Sequence, residues 1–300
     1  MIRNISLVTV TYNSVQLASW FARTASNFEH VFIVDNASQD ATRHAFLSFS
    51  PHAKLLSLDR NIGFGPANNV GFLAAREVSE FVIFINPDCH LNQADALQLV
   101  GILCKEFDVG IVFPVVTDAC GNLPKLFLWD FSKPYKEKRL EPYDLSKSHS
   151  FTKAHVCLDG ACFMVRTSDF LKIGGFNEDL FMYCEEDDLA LRMQSIATKK
   201  TAICLTATAT HIGGASTSRG TRLLIGRFYH ARWSKLYMTD RYISRIQKNI
   251  KVFQDLLLTP VALVVYATLL KKAHIFKWLG WGAAAIDGAF MTKAFRRFFL

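Results

Sequence analysis

Short apolar runs rich in β-branched residues alternate with segments of helical pattern over the first 115 residues, and this alternation restricts the fold more than any other feature. The predicted strands are Ile5–Thr11, Val31–Asp35, Leu55–Leu58, Phe81–Asn86 and Val109–Val115. The predicted helices between them are Val15–Asn27, Asp40–Ser48, Pro66–Val78 and Gln93–Glu106. This pattern predicts an α/β fold with a mostly parallel sheet that is flanked by helices on both faces.

Polar segments follow four of the predicted strands. They are Thr11–Ser14, Asp35–Ser38, Asn61–Gly65 and Asn86–Asp88. Ligands of such sheets bind beyond the carboxyl ends of the strands, so we expect the four segments to converge on one site. Taken alone, Asp35 fits a ligand contact or a helix cap equally well, and the glycine-rich segment fits an ordinary turn before a helix.

Asp88 and His211 are the candidate metal ligands. Asp88 follows an apolar strand, and Pro87 restricts the backbone before it. Mg²⁺ and Mn²⁺ take one or two protein carboxylates together with phosphate oxygens, so this position suits an ion bridged to a diphosphate. Capping of the helix predicted from Gln93 is the alternative role for Asp88. His211 follows the last predicted strand, Thr201–Leu205, where an imidazole can bind a metal or a phosphate or be purely structural.

Four consecutive acids, Glu185–Asp188, form the sharpest polar cluster in the sequence. They begin a predicted helix, where the helix dipole favours negative charge, and a merely stabilising acidic turn is one interpretation. The helical period separates the side chains, so Asp188 can pair with Arg192 while another acid acts as a general base. The apolar residues Phe181–Tyr183 precede the cluster, and this environment favours the catalytic interpretation.

The excess of positive over negative charge lies in the C-terminal quarter of the chain. Residues 1–222 carry 21 Lys and Arg against 23 Asp and Glu, whereas residues 223–300 carry 13 against 3. The tail also holds the longest apolar run, Leu256–Leu270, which is shorter than the roughly 20 residues that span a bilayer. We therefore expect helices that lie at an anionic membrane surface, or that pack on the rest of the protein. Nucleic-acid binding is disfavoured, since the residues before the tail are slightly acidic.

Cysteine usage and the start of the chain point to a reducing compartment. The seven cysteines lack CxxC spacing, so we expect buried thiols and no disulfide framework. The first residues lack a signal-peptide pattern. Residues 117–153 have little periodicity and predict a variable loop region.

Seven motifs follow one another between residues 10 and 216. They are VTYNS (10–14), DNASQD (35–40), NIGFGPANNVG (61–71), NPD (86–88), DGACFMVR (159–166), GGFNEDLFMYCEEDDLALR (174–192) and HIGGAS (211–216). In these motifs and their order the chain resembles the inverting nucleotide-sugar glycosyltransferases of family 2. The resemblance is strongest to the rhamnosyltransferase-like branch that acts in O-antigen and cell-wall polysaccharide biosynthesis.

The resemblance implies a GT-A fold and assigns roles to residues at the matching positions. The catalytic domain would be 1–218, with a nucleotide-sugar half (1–115), the variable loop region (117–153) and an acceptor half (154–218), and 219–300 would be a basic, apolar helical extension. The implied donor-binding residues are Thr11, Tyr12, Asn13, Asp35, Asn36, Gly63, Phe64, Asn68 and Asn69. The implied metal ligands are Asp88 and His211, and Asn86 departs from the acidic residue that begins the family's metal motif. Glu186 would be the base, with Glu185 and Asp187 as alternates, and the implied acceptor-side residues are Gly160, Ala161, Glu185 and Asp188.

The resemblance also implies a reaction and a location. The enzyme would transfer a sugar, with L-rhamnose from dTDP-rhamnose as the preferred donor, to a polyprenyl-diphosphate-linked saccharide, using Mg²⁺ or Mn²⁺. It would lie in the cytoplasm, peripherally attached to the inner face of the cell membrane. A different hexose donor and a non-catalytic sugar- or nucleotide-binding protein are the alternatives, although the latter should lack the acids at 88 and 186. A nucleotidyl-transferring enzyme would need a glycine-rich loop with a lysine after the first strand, and VTYNSVQLASW has none.

Overall fold

The computed structural model describes residues 2–122, 151–154, 160–213 and 221–290. They belong to two compact units. The first contains residues of 1–62, 66–176 and 186–217, and the second contains 63–65, 177–185 and residues of 218–300. The predicted domain boundary at 218/219 stays a prediction. Most of the predicted variable loop region, 123–150, lies outside the described residues.

The first unit is built on one nine-stranded sheet. Its strands are β1 (Ile2–Thr11), β2 (Phe28–Asp35), β3 (Lys54–Ser57), β4 (Phe81–Ile85), β5 (Cys89–Leu91), β6 (Val109–Thr117), β7 (Phe151–Ala154), β8 (Cys162–Arg166) and β9 (Lys200–His211). The helices up to the last strand are α1 (Ala18–Ala25), α2 (Thr42–Phe49), α3 (Phe64–Ala75), α4 (Gln93–Lys105), α5 (Thr167–Lys172) and α6 (Glu185–Ala197), and a 3-10 turn (Val15–Leu17) precedes α1.

The sheet is parallel in its N-terminal part and mixed beyond it. The strand order is β3-β2-β1-β4-β8-β6-β9-β5, with β7 paired to β9, and the first four strands of this order are parallel. β8 runs antiparallel to both β4 and β6. The predicted α/β fold with flanking helices is confirmed. Beyond the N-terminal strands, β6 and β9 also pair in parallel, whereas β5, β7 and β8 pair antiparallel to their neighbours. An apolar strand pairs in either direction, so the sequence pattern does not reveal the reversal of β8.

The last strand is longer than predicted. β9 reaches His211, so this residue ends a strand rather than following one. The missed part, Thr206–Thr210, alternates threonine with alanine, and Ala207 and Ala209 are buried. This period of two is the signal of a half-buried strand, and it was available in the sequence. β5 has only three residues, which is too short for any periodic pattern.

A phenylalanine cluster fills the core on one side of the sheet. Phe170 lies 4.4 Å from Phe72 and 5.1 Å from Phe84, measured between ring centroids, and Phe176 lies 5.1 Å from Phe84. Tilted and edge-to-face pairs of this kind each add about 0.5–1.5 kcal/mol to the gain from burial. The cluster thus fixes the backbone at Phe176, nine residues before the acids of α6.

The thiols only partly follow expectation. Among the described cysteines, Cys89, Cys162, Cys184 and Cys204 are buried and free. Cys104 and Cys120 are free but exposed, so the prediction of buried thiols is wrong for these two. Cys104 lies on the solvent-facing side of α4, and Cys120 lies in an exposed turn. The spacing of cysteines in the sequence does not indicate whether a thiol is buried.

Three long helices dominate the second unit, as the predicted helical extension requires. They are α7 (Thr221–Tyr242), α8 (Arg245–Thr268) and α9 (Lys272–Ala289). Arg232 of α7 binds Asp255 of α8 through two hydrogen bonds of 2.6 and 2.8 Å, and the hydroxyl of Tyr229 donates to Asp287 of α9 at 2.6 Å. A Cβ at Gly280 would lie 2.7 Å from the carbonyl oxygen of Ile225. The absence of a side chain at Gly280 therefore allows the backbones of α7 and α9 to approach closely.

Helix α8 differs from its predicted character. It is long enough and apolar enough to cross a membrane by length and composition alone, and only 17% of its most apolar stretch is buried. The sequence prediction counted only uninterrupted apolar residues. It missed this helix because the charged residue Asp255 lies inside the helix and interrupts the count just before Leu256. Pro260 lies inside the helix as well.

Candidate active site

The predicted nucleoside-binding residues of β1 and β2 lie side by side. Thr11 and Asp35 are register partners in the parallel sheet, and the Thr11 hydroxyl donates to Asp35 at 3.4 Å. The backbone N–H of Asn36 donates to the carbonyl oxygen of Thr11 at 2.8 Å, and that of Asn13 donates to Ser38 at 2.9 Å. The two strand ends therefore form one connected polar edge, as the strand pattern predicted.

Asn36 joins this edge to the segment after β3. Its side-chain N–H donates to the Asn61 side chain at 2.9 Å, and its side-chain oxygen accepts the backbone N–H of Ile62 at 2.9 Å. Tyr12 and Asn13 are half-buried at the same edge, and Asn68 is buried. Three of the four polar segments thus meet here, and the roles of these residues toward a nucleoside stay predictions.

Asp35 has a partner that sequence patterns did not indicate. Its carboxylate accepts the Arg43 Nε–H at 2.6 Å and the backbone N–H of Ser38 at 3.0 Å. The Asp35 side chain is fully buried, whereas that of Arg43 is 45% exposed. The role of Asp35 toward a nucleoside stays a prediction, and any such contact would share the carboxylate with Arg43. Arg43 lies eight residues after Asp35, and no periodic pattern in the sequence predicts that the two side chains pair.

Asp88 and His211 are brought together by the pairing of β5 with β9. Cys89 is the register partner of His211, and the backbone N–H of Ile212 donates to the carbonyl oxygen of Asp88 at 3.0 Å. The His211 Nε2 lies 3.2 Å from Asp88 Oδ1, with the histidine partly exposed and the aspartate buried. Residues 123 positions apart thus form one pair, which no local sequence pattern encodes.

The pair fits a divalent ion that also binds a diphosphate. Adjacent ligands of an octahedral ion with ~2.1 Å bonds lie about 3.0 Å apart, close to the observed separation of the two side chains. Within the described part of the chain, no group of three or more His, Cys, Asp and Glu side chains is arranged to hold a metal. Phosphate oxygens and water would therefore complete the coordination. A hydrogen bond with Cys162, and then burial, raise the pKa of the neighbouring Cys89 thiol well above its usual value.

The four acids of α6 occupy different environments. Glu185 is 3% exposed, Asp187 is 8% exposed and Asp188 is fully buried, whereas Glu186 is half-buried. A general base has to reach the substrate, so exposure favours Glu186 over the alternates Glu185 and Asp187. The burial of Glu185 also speaks against its predicted acceptor-side contact.

Asp188 has a structural role, which corrects its predicted place on the acceptor side. Its carboxylate accepts the Arg192 Nε–H at 2.6 Å, the pairing that the helical spacing predicted. Arg192 also donates to the carbonyl oxygens of Ile173 and Gly175 at 2.8 and 2.6 Å. The buried ion pair therefore fixes the turn before the acidic segment and leaves no surface of Asp188 for an acceptor.

Asn69, a predicted donor-binding residue, makes structural contacts, and its role toward a donor stays a prediction. Its side-chain oxygen accepts the Phe176 backbone N–H at 2.8 Å, and its amide nitrogen donates to the Phe176 carbonyl at 2.9 Å. A Cβ at Gly175 would lie 2.6 Å from that side-chain oxygen, and the φ of Gly175 is +73°. The Gly174–Gly175 turn and Asn69 therefore form a single structural unit, which explains an asparagine that the motif alone presents as a ligand.

Gly160 and Ala161 lie between the metal pair and the predicted base. The backbone N–H of Asn86 donates to the Ala161 carbonyl at 2.8 Å, two residues before Asp88. On the other side, a Cβ at Gly160 would lie 3.1 Å from the Glu186 Cδ. Because these residues precede β8, which pairs with β4, they lie at the sheet edge where β4 ends. The turn that carries Asp88 and the carboxylate of Glu186 therefore flank one dipeptide.

The remaining donor-binding candidates, Gly63 and Phe64, belong to the second unit. The Phe64 backbone N–H donates to the Phe181 carbonyl at 2.9 Å. Gly63 has a φ of +99°, and a Cβ there would lie 2.5 Å from that oxygen, so only glycine fits. The glycines of the Gly63–Phe64 loop were visible in the sequence, but its contact with Phe181 was not.

The chain is similar to known proteins in sequence and in fold. The family model described as "Glycosyl transferase family 2" matches residues 6–174. The N-acetylglucosaminyl-diphospho-decaprenol L-rhamnosyltransferase of Mycobacterium tuberculosis (strain H37Rv) is 28% identical over 192 residues, which are 54% of this chain and 60% of that protein. Rhamnosyltransferase WbbL of Escherichia coli (strain K12) is 27% identical over 154 residues, which are 44% of this chain and 54% of that protein. The matches thus span little more than half the length of these relatives.

A solved structure shares the fold. The mannosyltransferase PcManGT from Pyrobaculum calidifontis, in complex with GDP-Man and Mn²⁺, superimposes with a TM-score of 0.55 at 16% sequence identity. The match covers 97% of this chain and 88% of that one. At this identity the likeness shows the fold alone, which is GT-A.

Proposed function

This chain belongs to glycosyl transferase family 2, and we propose on that basis that it moves a sugar from a nucleotide-diphospho-sugar to a saccharide acceptor with inversion at the anomeric carbon. The observation that carries the proposal is the arrangement around Gly160–Ala161. The turn of Asp88 bonds to one of these residues and Glu186 contacts the other. The pair proposed to bind the diphosphate and the half-buried carboxylate of Glu186 would serve the two ends of a displacement reaction.

Glu186 would be the general base. An acceptor hydroxyl ionises far above neutral pH, so it must lose its proton as it attacks the anomeric carbon. A positioned carboxylate can take that proton, and Glu186 is the acid of its cluster with an accessible surface. A single in-line displacement then inverts the anomeric centre and needs no covalent enzyme nucleophile.

Asp88 and His211 would hold a divalent ion, Mg²⁺ or Mn²⁺, at the diphosphate. When bound, such an ion supplies positive charge that offsets the charge of the departing nucleoside diphosphate. The polar edge formed by Thr11, Asp35 and Asn36 would bind the nucleoside. Thr11 ends β1, which pairs with β4, and the chain continues from β4 into Asp88.

We infer the finer specificity from the relatives. Two of them are named as rhamnosyltransferases, and one of these names gives a decaprenol-diphosphate-linked acceptor. L-Rhamnose from dTDP-rhamnose is therefore the preferred donor, and a lipid-linked saccharide is the preferred acceptor, as in O-antigen and other surface polysaccharide biosynthesis.

A donor panel tests the function. Purified protein is mixed with Mn²⁺ or Mg²⁺ and with dTDP-rhamnose, UDP-glucose, UDP-N-acetylglucosamine or GDP-mannose, and the midpoint of thermal unfolding is measured. We expect dTDP-rhamnose to stabilise most, since a ligand at 100 times its Kd adds about 2.7 kcal/mol. Stabilisation by a different sugar nucleotide would replace rhamnose in the proposal, and no response to any sugar nucleotide would contradict the transferase function.

The exposed face of α8 would attach the protein to the inner face of the cell membrane. Phe253 is 66% exposed, Val261 is 61% exposed and Val264 is 66% exposed, at helical spacing on one side. Nearby tail residues are basic, which suits anionic lipid headgroups. The same lipid surface would carry the acceptor.

We expect Phe253→Asp to weaken membrane binding by about tenfold or more, because burying a phenylalanine contributes about 1.5–3 kcal/mol. The measurement is flotation with vesicles of phosphatidylethanolamine and phosphatidylglycerol. Phe107→Asp is the matched control, since Phe107 is 73% exposed but lies in the first unit. Equal flotation of both variants and the original protein would contradict attachment through α8.

A further inference from the structure

The segment 177–185 leads directly into Glu186 and ends in an unusual backbone conformation. Tyr183 has a φ of +75° and Cys184 a φ of +64°. Both are in the left-handed region, which residues other than glycine seldom adopt, and here two occur in succession. Such backbone persists only where the surroundings hold it in place.

One face of α7 supplies those surroundings. Arg227, His230, Ser234 and Tyr237 recur at spacings of three and four residues, so they lie on the same side of the helix. We name these four residues the α7 contact row. Each of them contacts segment 177–185.

The contacts of the α7 contact row are specific. The Ser234 hydroxyl donates to the Met182 carbonyl at 2.9 Å, and the Arg227 Nε–H donates to the Tyr183 hydroxyl at 3.2 Å. At the other end of the row, the Tyr237 hydroxyl accepts the Asn177 side-chain N–H at 3.0 Å. The segment is thus held at both ends.

His230 contacts the middle of the segment. Its ring stacks on Phe181 with a centroid distance of 4.6 Å and an interplanar angle of 25°. Burial lowers the pKa of His230 to about 3, so this ring is neutral at physiological pH. The Phe181 carbonyl in turn accepts the Phe64 N–H and adjoins Gly63. The same contact therefore supports the donor loop.

We propose that α7 is a positioning element for the residues that lead into Glu186: its contact row holds segment 177–185 in its strained form and supports the Gly63–Phe64 loop. The inference rests on the proposed function and adds to it a role for the C-terminal helices beyond membrane attachment. Displacement of a catalytic group by about 1 Å can cost 10²-fold in rate, so removal of one contact from the row has a measurable effect.

Two hydroxyl deletions on the same helix separate positioning from stability. Ser234→Ala removes the hydrogen bond to segment 177–185. Thr239→Val is the control, because the buried Thr239 hydroxyl donates to the backbone carbonyl oxygen of Lys235 within α7 at 2.7 Å. For each variant we would measure kcat, donor KM, the unfolding midpoint and hydrogen exchange of the peptide that covers 177–187.

We expect Ser234→Ala to lower kcat about tenfold with donor KM within about threefold, and to speed exchange of 177–187 about tenfold. Thr239→Val should lower the unfolding midpoint by a similar amount and leave kcat and this exchange unchanged. Equal behaviour of the two variants in kcat and exchange would overturn the proposal. If Glu186→Gln leaves turnover intact, the assignment of Glu186 as the base fails instead, and the exchange measurement still decides the positioning role.

Discussion

Replacing Glu186 by glutamine is expected to lower kcat by about 10²–10⁴-fold, the usual contribution of a general base. The amide keeps the size of the side chain and its fit against Gly160 but cannot accept the acceptor's proton. Donor binding should be nearly unchanged, since Glu186 is not among the residues proposed to contact the nucleotide. The measurement is steady-state turnover beside donor-induced thermal stabilisation of the same variant.

The neighbouring acids provide the controls for this variant. Glu185→Gln and Asp187→Asn alter the same cluster at buried positions. They should reduce stability more than they reduce the rate per folded molecule. Near-normal turnover in Glu186→Gln, with a large loss in either neighbour, would transfer the base to that neighbour.

Replacing Asp88 by asparagine should lower kcat by about 10²–10³-fold, because metal-derived charge stabilisation contributes several kcal/mol to such reactions. The neutral amide is a weaker ligand for a hard ion, so binding of Mn²⁺ in the presence of nucleoside diphosphate should weaken in parallel. Calorimetric titration of Mn²⁺ measures this directly, without turnover.

Two further variants complete the Asp88 experiment. His211→Ala should also weaken Mn²⁺ binding, because its Nε2 lies beside the Asp88 carboxylate. Asp169→Asn is the control: Asp169 is a mostly buried carboxylate, but it pairs with Arg166 at 2.7 Å. Loss of Mn²⁺ binding in the control as well would indicate general destabilisation and would remove Asp88 and His211 from the metal site.

Residues whose roles depend on local pattern were predictable. The five strands expected in the first 115 residues are present with small shifts at their ends, because apolar runs and turn residues define them. The Asp188–Arg192 pair followed from helical spacing. The convergence of Thr11, Asp35 and Asn36 followed from the rule that ligand-binding residues occupy the carboxyl edge of a parallel sheet.

Roles that depend on distant partners were not predictable. Asn69 has the residue type of a ligand, and only the folded chain shows that Phe176 occupies its amide. Arg43 pairs with Asp35 because its long side chain extends to the carboxylate, and the spacing of the two residues in the sequence does not indicate this contact. The direction of β8 depends on the long connection before it, which apolar periodicity does not constrain.

The composition of the second unit has a consequence for how the protein matures during translation. Residues 63–65 and 177–185 emerge from the ribosome before α7, yet they belong to the same compact unit as that helix. A nascent chain can complete much of its sheet while Ser234 and His230 are still unsynthesised. Segment 177–185 then acquires its supports only after α7 has been synthesised, so catalytic competence would come later than completion of the sheet.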